Sequence, residues 1–231
     1  MEKFLVKSSV LKLADRLDGE HEDDMLSVYV TPNSKPPEEA GDVTSETGMI
    51  IFHSSQSDLI IIPPFPVLRN EIFREKKFHT EQLREIFSRQ YRLGVVLMHL
   101  GEYAVAFFHG DKITAVKCGK QYVHAKHGKG GYSQGRFSRL REVQMKHYFD
   151  AVYRNVKEVF ESRIDEIEYV IYGGPRITVS AFLKRDHLMK KFSAKTLERI
   201  LNVERANKTE LDDVMREVWK TRVLFLKEEE K

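Results

Sequence analysis

The residues that could do chemistry are concentrated in one glycine-rich, basic segment from Lys117 to Arg141. This segment holds seven Lys or Arg residues and no Asp or Glu, whereas the whole chain has a formal net charge of only +3. The rest of the chain is therefore net negative. Positive charge that is confined to one segment of a near-neutral protein predicts contact with a polyanion, and RNA phosphates fit best.

The composition of this segment limits the chemistry that it can perform alone. Five of the thirteen glycines lie between Gly119 and Gly135, and glycine lets backbone N–H groups approach a ligand closely. The tip carries Tyr132, Ser133 and Gln134, but the loop has no carboxylate and no cysteine. Acid–base or covalent catalysis would need one of these, or a base placed beside Ser133. Composition alone favours a nucleic-acid-binding loop without its own reactive group.

Two other kinds of site fit the segment poorly. His124 and His127 form an H-x-x-H pair, but zinc needs further ligands, and only distant histidines and Cys118 are available. A Walker-type phosphate loop is absent, because Gln121 rather than Ser or Thr follows Lys120. The sequence therefore predicts neither a metal ion nor a cofactor.

The segments around the loop predict the elements that position it. Strand-like runs at 94–99, 103–108 and 112–117, with short turns between them, are typical of an antiparallel meander. A long helix is predicted over 136–162, followed by a strand at 168–172 and a helix from Pro175 to about 190. The predicted apolar stripe of the long helix consists of Phe137, Leu140, Gln144, Tyr148, Val152, Val156, Val159 and Phe160.

The stripe predicts which side chains of the long helix face the core. Phe137 and Leu140 are expected to point inward, whereas Arg136 and Arg139 are expected to point toward solvent. The start of the helix adds a partial positive charge that favours an anion nearby.

The rest of the chain predicts a smaller preceding domain. Its elements are a helix over 3–17, a strand at 26–30 and a hairpin of 49–52 with 59–62. Prolines at 63, 64 and 66 end this region, so the predicted domains are 1–66, a small α+β domain, and 67–231. The second domain also contains a helix from Thr80 to about 88, a weak strand at 200–203 and a last helix over 209–225. The fold class is α/β, with a mixed sheet and helices packed on it.

Two ordered motifs resemble the central catalytic domain of archaeal and eukaryotic class-1 translation release factors. The residues at 126–131 and 136–141 look like the catalytic loop and helix of that domain, and 77–81 resembles the segment that opens it. The resemblance covers roughly 49–205 and implies layering similar to that of RNase H-type nucleases. A two-metal nuclease would need several carboxylates on strands, but the strands at 94–117 carry only Glu102 and Asp111, both at turns.

The loop departs from the release-factor pattern in one respect. In release factors a glutamine directly follows the two glycines, whereas here Tyr132 occupies that place and the order is Gly131-Tyr132-Ser133-Gln134. This Gly-x-x-Gln spacing is similar to that of the release-factor-like peptidyl-tRNA hydrolases of ribosome-associated quality control, the Vms-like proteins. The stop-codon-reading motif Asn-Ile-Lys-Ser is absent from the sequence. The resemblance therefore implies codon-independent release of nascent chains from tRNA on stalled large ribosomal subunits.

The resemblance also implies roles for individual residues. Gln134 would position the hydrolytic water, while Gly130 and Gly131 would let the loop enter a narrow RNA cavity. Tyr132 would stack on a base or cover the loop. The implied RNA-binding residues are Lys120, Lys126, His127, Lys129, Tyr132, Arg136, Arg139 and Arg141.

The implied partners are the large ribosomal subunit, P-site peptidyl-tRNA and ribosomal RNA, with no DNA and no membrane. The alternative is a non-catalytic factor of the same fold that binds the ribosome or tRNA. A single cysteine fits a reducing cytoplasm, no apolar run approaches 18 residues, and residues 1–15 lack a continuous apolar stretch, so a cytoplasmic protein is expected.

Overall fold

A computed structural model describes residues 1–35, 37–99, 101–123, 134–184 and 191–226, with the backbone alone at 39 and 134–138. The chain divides into two compact units. The first consists of Met1–Arg89 together with Arg216–Lys231, and the second is Gln90–Met215.

The elements follow in chain order. The strands are β1 (Glu2–Leu5), β2 (His21–Val30), β3 (Met49–His53), β4 (Asp58–Ile62), β5 (Glu71–Lys77), β6 (Arg92–His99), β7 (Glu102–His109), β8 (Lys112–Lys120), β9 (Tyr169–Gly173), β10 (Thr196–Leu201) and β11 (Thr221–Phe225). The α-helices are α1 (Lys7–Asp18), α2 (Glu81–Ser88), α3 (Gln134–Phe160), α4 (Arg176–Leu183), α5 (Lys208–Asp213) and α6 (Met215–Val218).

The first unit is built on an antiparallel sheet with the strand order β1-β11-β4-β3-β2-β5. The predicted hairpin is confirmed, because β3 and β4 pair and place Ile51 opposite Ile60. On one sheet face, apolar residues of β2, β3 and β4 pack with Ala40 and Val43 from the long loop. The helices α1 and α2 bury Val10, Leu13, Ala14, Leu17, Leu83, Ile86 and Phe87.

The domain boundary predicted at Pro63–Pro66 is corrected by the pairing of later elements. The prolines do end β4, but β5 returns to pair with β2, and α2 contacts α1. Because these contacts join residues beyond 66 to the N-terminal sheet, the first unit continues to Arg89.

The end of the chain also differs from the prediction. Thr221–Phe225 forms a strand between β1 and β4, not the end of a helix, and Val223 lies opposite Ile61. Just before this strand, Trp219 is buried, with its ring 5.1 Å from Phe65 and 5.5 Å from Phe87.

The second unit contains the mixed sheet that the sequence predicts. Its strand order is β10-β9-β6-β7-β8, with β10, β9 and β6 parallel and β6, β7 and β8 forming the antiparallel meander. The mixed α/β fold class is therefore confirmed. Within the described residues, no helix is long and apolar enough to cross a membrane.

The second half of α3 packs on this sheet through the predicted stripe. Tyr148, Val152, Val156 and Phe160 are all fully buried. The ring of Phe160 lies on Gly94 in β6, so closely that a Cβ at position 94 would be 2.7 Å from the ring. The missing side chain of Gly94 is what allows the end of the helix to sit against the sheet.

Candidate functional site

The structure describes five of the eleven predicted site residues. Lys120, Arg139 and Arg141 are described with their side chains, and Gln134 and Arg136 are described by their backbone. The predicted residues that lie outside the described residues are Lys126, His127, Lys129, Gly130, Gly131 and Tyr132.

Gln134 is the first residue of α3. The sequence predicts a helix start near Arg136. The structure instead places Gln134 in the first helical turn and not in the preceding loop. The N–H groups of a first turn have no partner within the helix, and the helix dipole adds a partial positive charge there. The first turn of α3 has no acidic residue that would cancel this charge. This end of the helix therefore favours an anionic or carbonyl-like ligand.

The first half of α3 extends beyond the core of its unit. None of the residues from Arg139 to His147 is buried, and Tyr148 is the first that is. Gln134 precedes Tyr148 by 14 positions, which corresponds to about 21 Å along the helix axis at 1.5 Å per residue. The prediction that Leu140 faces the core is wrong, because its side chain is 43% exposed, whereas Arg139 is exposed as predicted.

The exposure of Leu140 follows from the lengths of the packed elements. The strand β8 has nine residues and is about 30 Å long, at about 3.3 Å per residue. The helix α3 has 27 residues and is about 40 Å long. The helix is therefore longer than the strand on which it packs, and among its described side chains none before Tyr148 is buried.

Tyr148 joins α3 to the meander where the helix leaves the core. Its hydroxyl donates to the backbone oxygens of Glu102, at 2.7 Å, and His99, at 3.1 Å. Its ring packs edge-on against Tyr103 at 6.1 Å. Burial raises the pKa of Tyr148 above its usual range, so the hydroxyl keeps its proton and remains a donor.

Acidic side chains of the meander and of α3 lie beside two of the described basic residues. Lys120 Nζ lies 2.9 Å from Glu102 Oε1 on the neighbouring strand, and Lys117 Nζ lies 2.7 Å from Glu158 Oε1 on α3. The hydrogen bond from Lys120 holds the pKa of Glu102 below its usual value. Lys120 is thus a matched cation, whereas Arg139 has no ion pair within the described part of the chain. The sequence alone did not predict these ion pairs, because the paired residues are far apart in the chain.

The residues just before the loop are held by β7. The strand β8 continues to Lys120, three residues beyond its predicted end, and the Gln121 N–H then donates to the Gly101 oxygen at 2.8 Å. Gly119 lies against Tyr103, where a Cβ would be 2.2 Å from the hydroxyl oxygen. Partial burial raises the pKa of the exposed Cys118 thiol, which disfavours a nucleophilic thiolate.

A polar cleft of about 510 Å³ lies against α3, and the sequence analysis did not identify it. Gln121, His147, Asp150, Tyr153 and Arg154 line it. The signal in the sequence was the spacing of the last four, which places polar residues on one face of a helix over two turns. Within the described residues, no three His, Cys, Asp or Glu side chains gather where they could hold a metal ion.

The sequence model of one protein family, described as the actinobacterial and chloroflexi VLRF1 release factor, matches residues 91–224. Those residues include the meander, α3 and the parallel strands, and they make up more than half of the chain.

Curated relatives are archaeal proteins named peptide chain release factor subunit 1. The protein of Picrophilus torridus is 30% identical over 159 residues, which cover 65% of this chain and 39% of the relative. The protein of Methanopyrus kandleri is 31% identical over 162 residues, which cover 67% of this chain and 39% of the relative. The chain thus spans about two fifths of the length of these relatives. The crystal structure of the archaeal termination factor aRF1 aligns over 93% of this chain and 73% of that chain, with 12% identity and a TM-score of 0.42.

Proposed function

Because the chain belongs to the VLRF1 release factor family of actinobacteria and chloroflexi, we propose that it is a codon-independent peptidyl-tRNA hydrolase. The bond cleaved is the ester between the nascent peptide and the 3′-terminal ribose of tRNA. The substrate is peptidyl-tRNA in the P site of stalled large ribosomal subunits in the cytoplasm. The name of the curated relatives, peptide chain release factor, supports a reaction of this class.

The observation that carries the proposal is the position of Gln134 on the first turn of a helix that extends beyond its core. A site at the end of such a helix can enter a cavity formed by another molecule, because the core of the unit lies too far from the helix end to collide with the walls of the cavity. The basic segment that contains Gln134 favours binding to the phosphates of an RNA-lined cavity, although Glu158 and Glu102 offset the charges of Lys117 and Lys120. The first turn also supplies N–H donors that have no partner within the helix.

Ester hydrolysis requires an oriented water molecule and donors for the developing oxyanion. Neither requirement needs an ionised side chain, because an amide can orient water and a preorganised N–H donor contributes about 10²–10³-fold. Gln134 positions the water through its side chain or its backbone N–H. Ribosomal RNA completes the active site, which accounts for a loop without a carboxylate or a thiol.

The remaining loop residues have supporting roles in this proposal. Gly130 and Gly131 let the backbone enter the cavity, and Tyr132 stacks on a base there, a contact of about 1–3 kcal/mol. The residues that bind RNA, with phosphates as the main target, are Lys126, His127, Lys129, Arg136, Arg139 and Arg141. Lys120 contributes less than these, because Glu102 already matches its charge.

The test is release of labelled peptide from peptidyl-tRNA bound to isolated large subunits. Gln134→Ala is expected to abolish release and to leave subunit binding unchanged, because the substitution removes only the amide. Lys157→Ala is the matched control, since Lys157 lies on the same helix and pairs with Glu161. Release by Gln134→Ala at the wild-type rate would refute the catalytic role of Gln134.

The same assay decides between the hydrolase and a non-catalytic factor. A factor that only binds the ribosome or tRNA would bind the subunits and would release no peptide, even as the wild-type chain. The Gly-x-x-Gln spacing that ends at Gln134 favours the hydrolase, because it keeps an amide near the glycines of the loop.

A further inference from the structure

The polar cleft against α3 has no role in the proposed reaction. Its lining residues are His147, Asp150, Tyr153 and Arg154 on the helix and Gln121 at the end of the meander. His147 follows Gln134 by 13 positions, which is about 20 Å along the helix axis. A molecule in the cleft is therefore separate from the ester that Gln134 addresses.

Two of the cleft residues are held in place by the fold. Tyr153 is partly buried and packs against the core cluster of the second unit, so the protein restricts the motion of its ring. The backbone of Gln121 is fixed by the hydrogen bond from its N–H to the Gly101 oxygen. The cleft therefore has a preorganised aromatic wall and a fixed backbone segment beside it.

The charged residues of the cleft are more accessible. His147, Asp150 and Arg154 are exposed, and they recur at a spacing of three and four along α3, which places them on one face. Within the described residues, neither His147 nor Arg154 forms an ion pair. The Arg154 guanidinium lies in the same cleft as the Asp150 carboxylate and is exposed, so it can bind an anionic group of a ligand.

We propose that this cleft binds one unpaired nucleotide of an RNA strand. The Tyr153 ring offers a surface on which a base stacks, and the Arg154 guanidinium binds the adjoining phosphate. The Asp150 carboxylate accepts a hydrogen bond from an amino group of the base, as carboxylates do from cytosine N4. A carboxylate would repel a bare phosphate, so this set of groups fits a whole nucleotide better than a phosphate ion.

The choice of RNA as the ligand rests on the proposed function. A nucleotide held in the cleft gives the protein a second RNA-binding site, about 20 Å along α3 from the site at Gln134. The nucleotide belongs either to tRNA or to ribosomal RNA, and the two sources share the same recognition chemistry.

The test measures binding of the full chain to two RNA probes. One probe is a tRNA acceptor-stem hairpin with its single-stranded 3′ end, and the other is the large ribosomal subunit without tRNA. Tyr153→Leu is expected to weaken binding about 5- to 150-fold, because stacking contributes about 1–3 kcal/mol per base. Arg154→Ala is expected to reduce the slope of log K against log salt by about 0.7 for a single strand. Lys157→Ala, one turn further along α3, is the charge-matched control.

The variants distinguish the two RNA sources and keep the proposal open to refutation. Losses confined to the hairpin assign the nucleotide to tRNA, and losses confined to the subunit assign it to ribosomal RNA. Arg154 is exposed, so its substitution leaves the fold intact even if Tyr153→Leu unfolds the unit. Wild-type affinity and salt slope for Arg154→Ala on both probes would overturn the proposal. Gln134→Ala in the release assay tests the catalytic proposal separately.

Discussion

The hydroxyl of Tyr148 donates to the backbone oxygen of Glu102 at 2.7 Å, and this bond marks the point at which α3 leaves the core. The helix continues from there to Gln134 with no buried residue between Arg139 and His147. The contacts around Tyr148, about 21 Å from Gln134 along the axis, therefore help to direct the N-terminal half of the helix.

Tyr148→Phe tests this dependence. The substitution leaves the two backbone oxygens without their donor, so we expect a loss of about 1–3 kcal/mol in the free energy of unfolding. Peptide release should fall as well, because the helix is less firmly directed. Tyr29→Phe is the matched control, since Tyr29 is also buried and donates to a backbone oxygen, that of His79, in the first unit. Equal effects of both substitutions on release would contradict the directing role of Tyr148.

Glu102→Gln tests whether the acidic partner limits RNA binding. The substitution frees the Lys120 ammonium, so we expect tighter RNA binding and a salt slope that is steeper by about 0.7–0.9. Glu161→Gln serves as the control, because it frees Lys157 at a site outside the basic segment. An unchanged affinity for Glu102→Gln would show that Lys120 does not reach RNA.

The same carboxylate predicts a pH dependence of stability. The pKa of Glu102 is lowered in the folded chain, chiefly by the hydrogen bond from Lys120. The contribution of the pair is therefore complete above the unfolded pKa, near 4.3, and is lost as the pH falls through the folded pKa. The free energy of unfolding, measured with denaturant, should differ more between wild type and Glu102→Gln at pH 7 than below pH 4. The difference at pH 7 should be less than about 1 kcal/mol, because the Lys120 side chain is exposed. A larger difference below pH 4 would contradict the assignment.

Gly94→Ala tests the contact at the other end of α3. The added Cβ would lie 2.7 Å from the Phe160 ring, so the ring must move, and overpacking of this kind costs about 1–3 kcal/mol. A smaller residue, as in Phe160→Leu, should relieve part of this cost in the double variant. Additive losses in the double variant, measured by denaturant unfolding, would show that the two residues do not interact.

Val223→Ala tests the place of β11 in the first unit. Val223 is fully buried between β1 and β4, so we expect a loss of about 1–3 kcal/mol. Arg222→Ala on the same strand removes an exposed ion pair with Glu2 and should cost less than about 1 kcal/mol. Equal losses from both substitutions in thermal or denaturant unfolding would contradict a core position for β11.

The sequence predicted the elements that local patterns determine. The meander before the loop, the β3–β4 hairpin and the long helix α3 follow from alternation, turns and helical periodicity within short windows. It failed for β11, because Thr221–Phe225 follows a helical segment and its pairing partners, such as Ile61, lie far away in the chain. The contact of β5 with β2 was missed for the same reason, and this displaced the predicted domain boundary.

The candidate site was predictable in its chemistry but not in its surroundings. The glycines, the basic residues and Gln134 are visible in the sequence. The exposure of Leu140 is not, because periodicity records which face is apolar and not whether anything covers that face. Glu102 and Glu158 were also missed as partners of Lys120 and Lys117, since only the sheet and α3 bring those carboxylates close.

The hydrogen-bonded pairing of Met1 with Phe225 has a consequence for the order in which the chain folds during synthesis. The strand β11 occupies an interior place in its sheet, yet a ribosome produces it only after the entire second unit has been made. The second unit is continuous in sequence and can fold first. The first unit cannot complete its sheet until β11 is available to pair between β1 and β4. A nascent chain interrupted near Met215 would thus contain a complete second unit and an incomplete first unit, and the incomplete unit would be prone to proteolysis and aggregation.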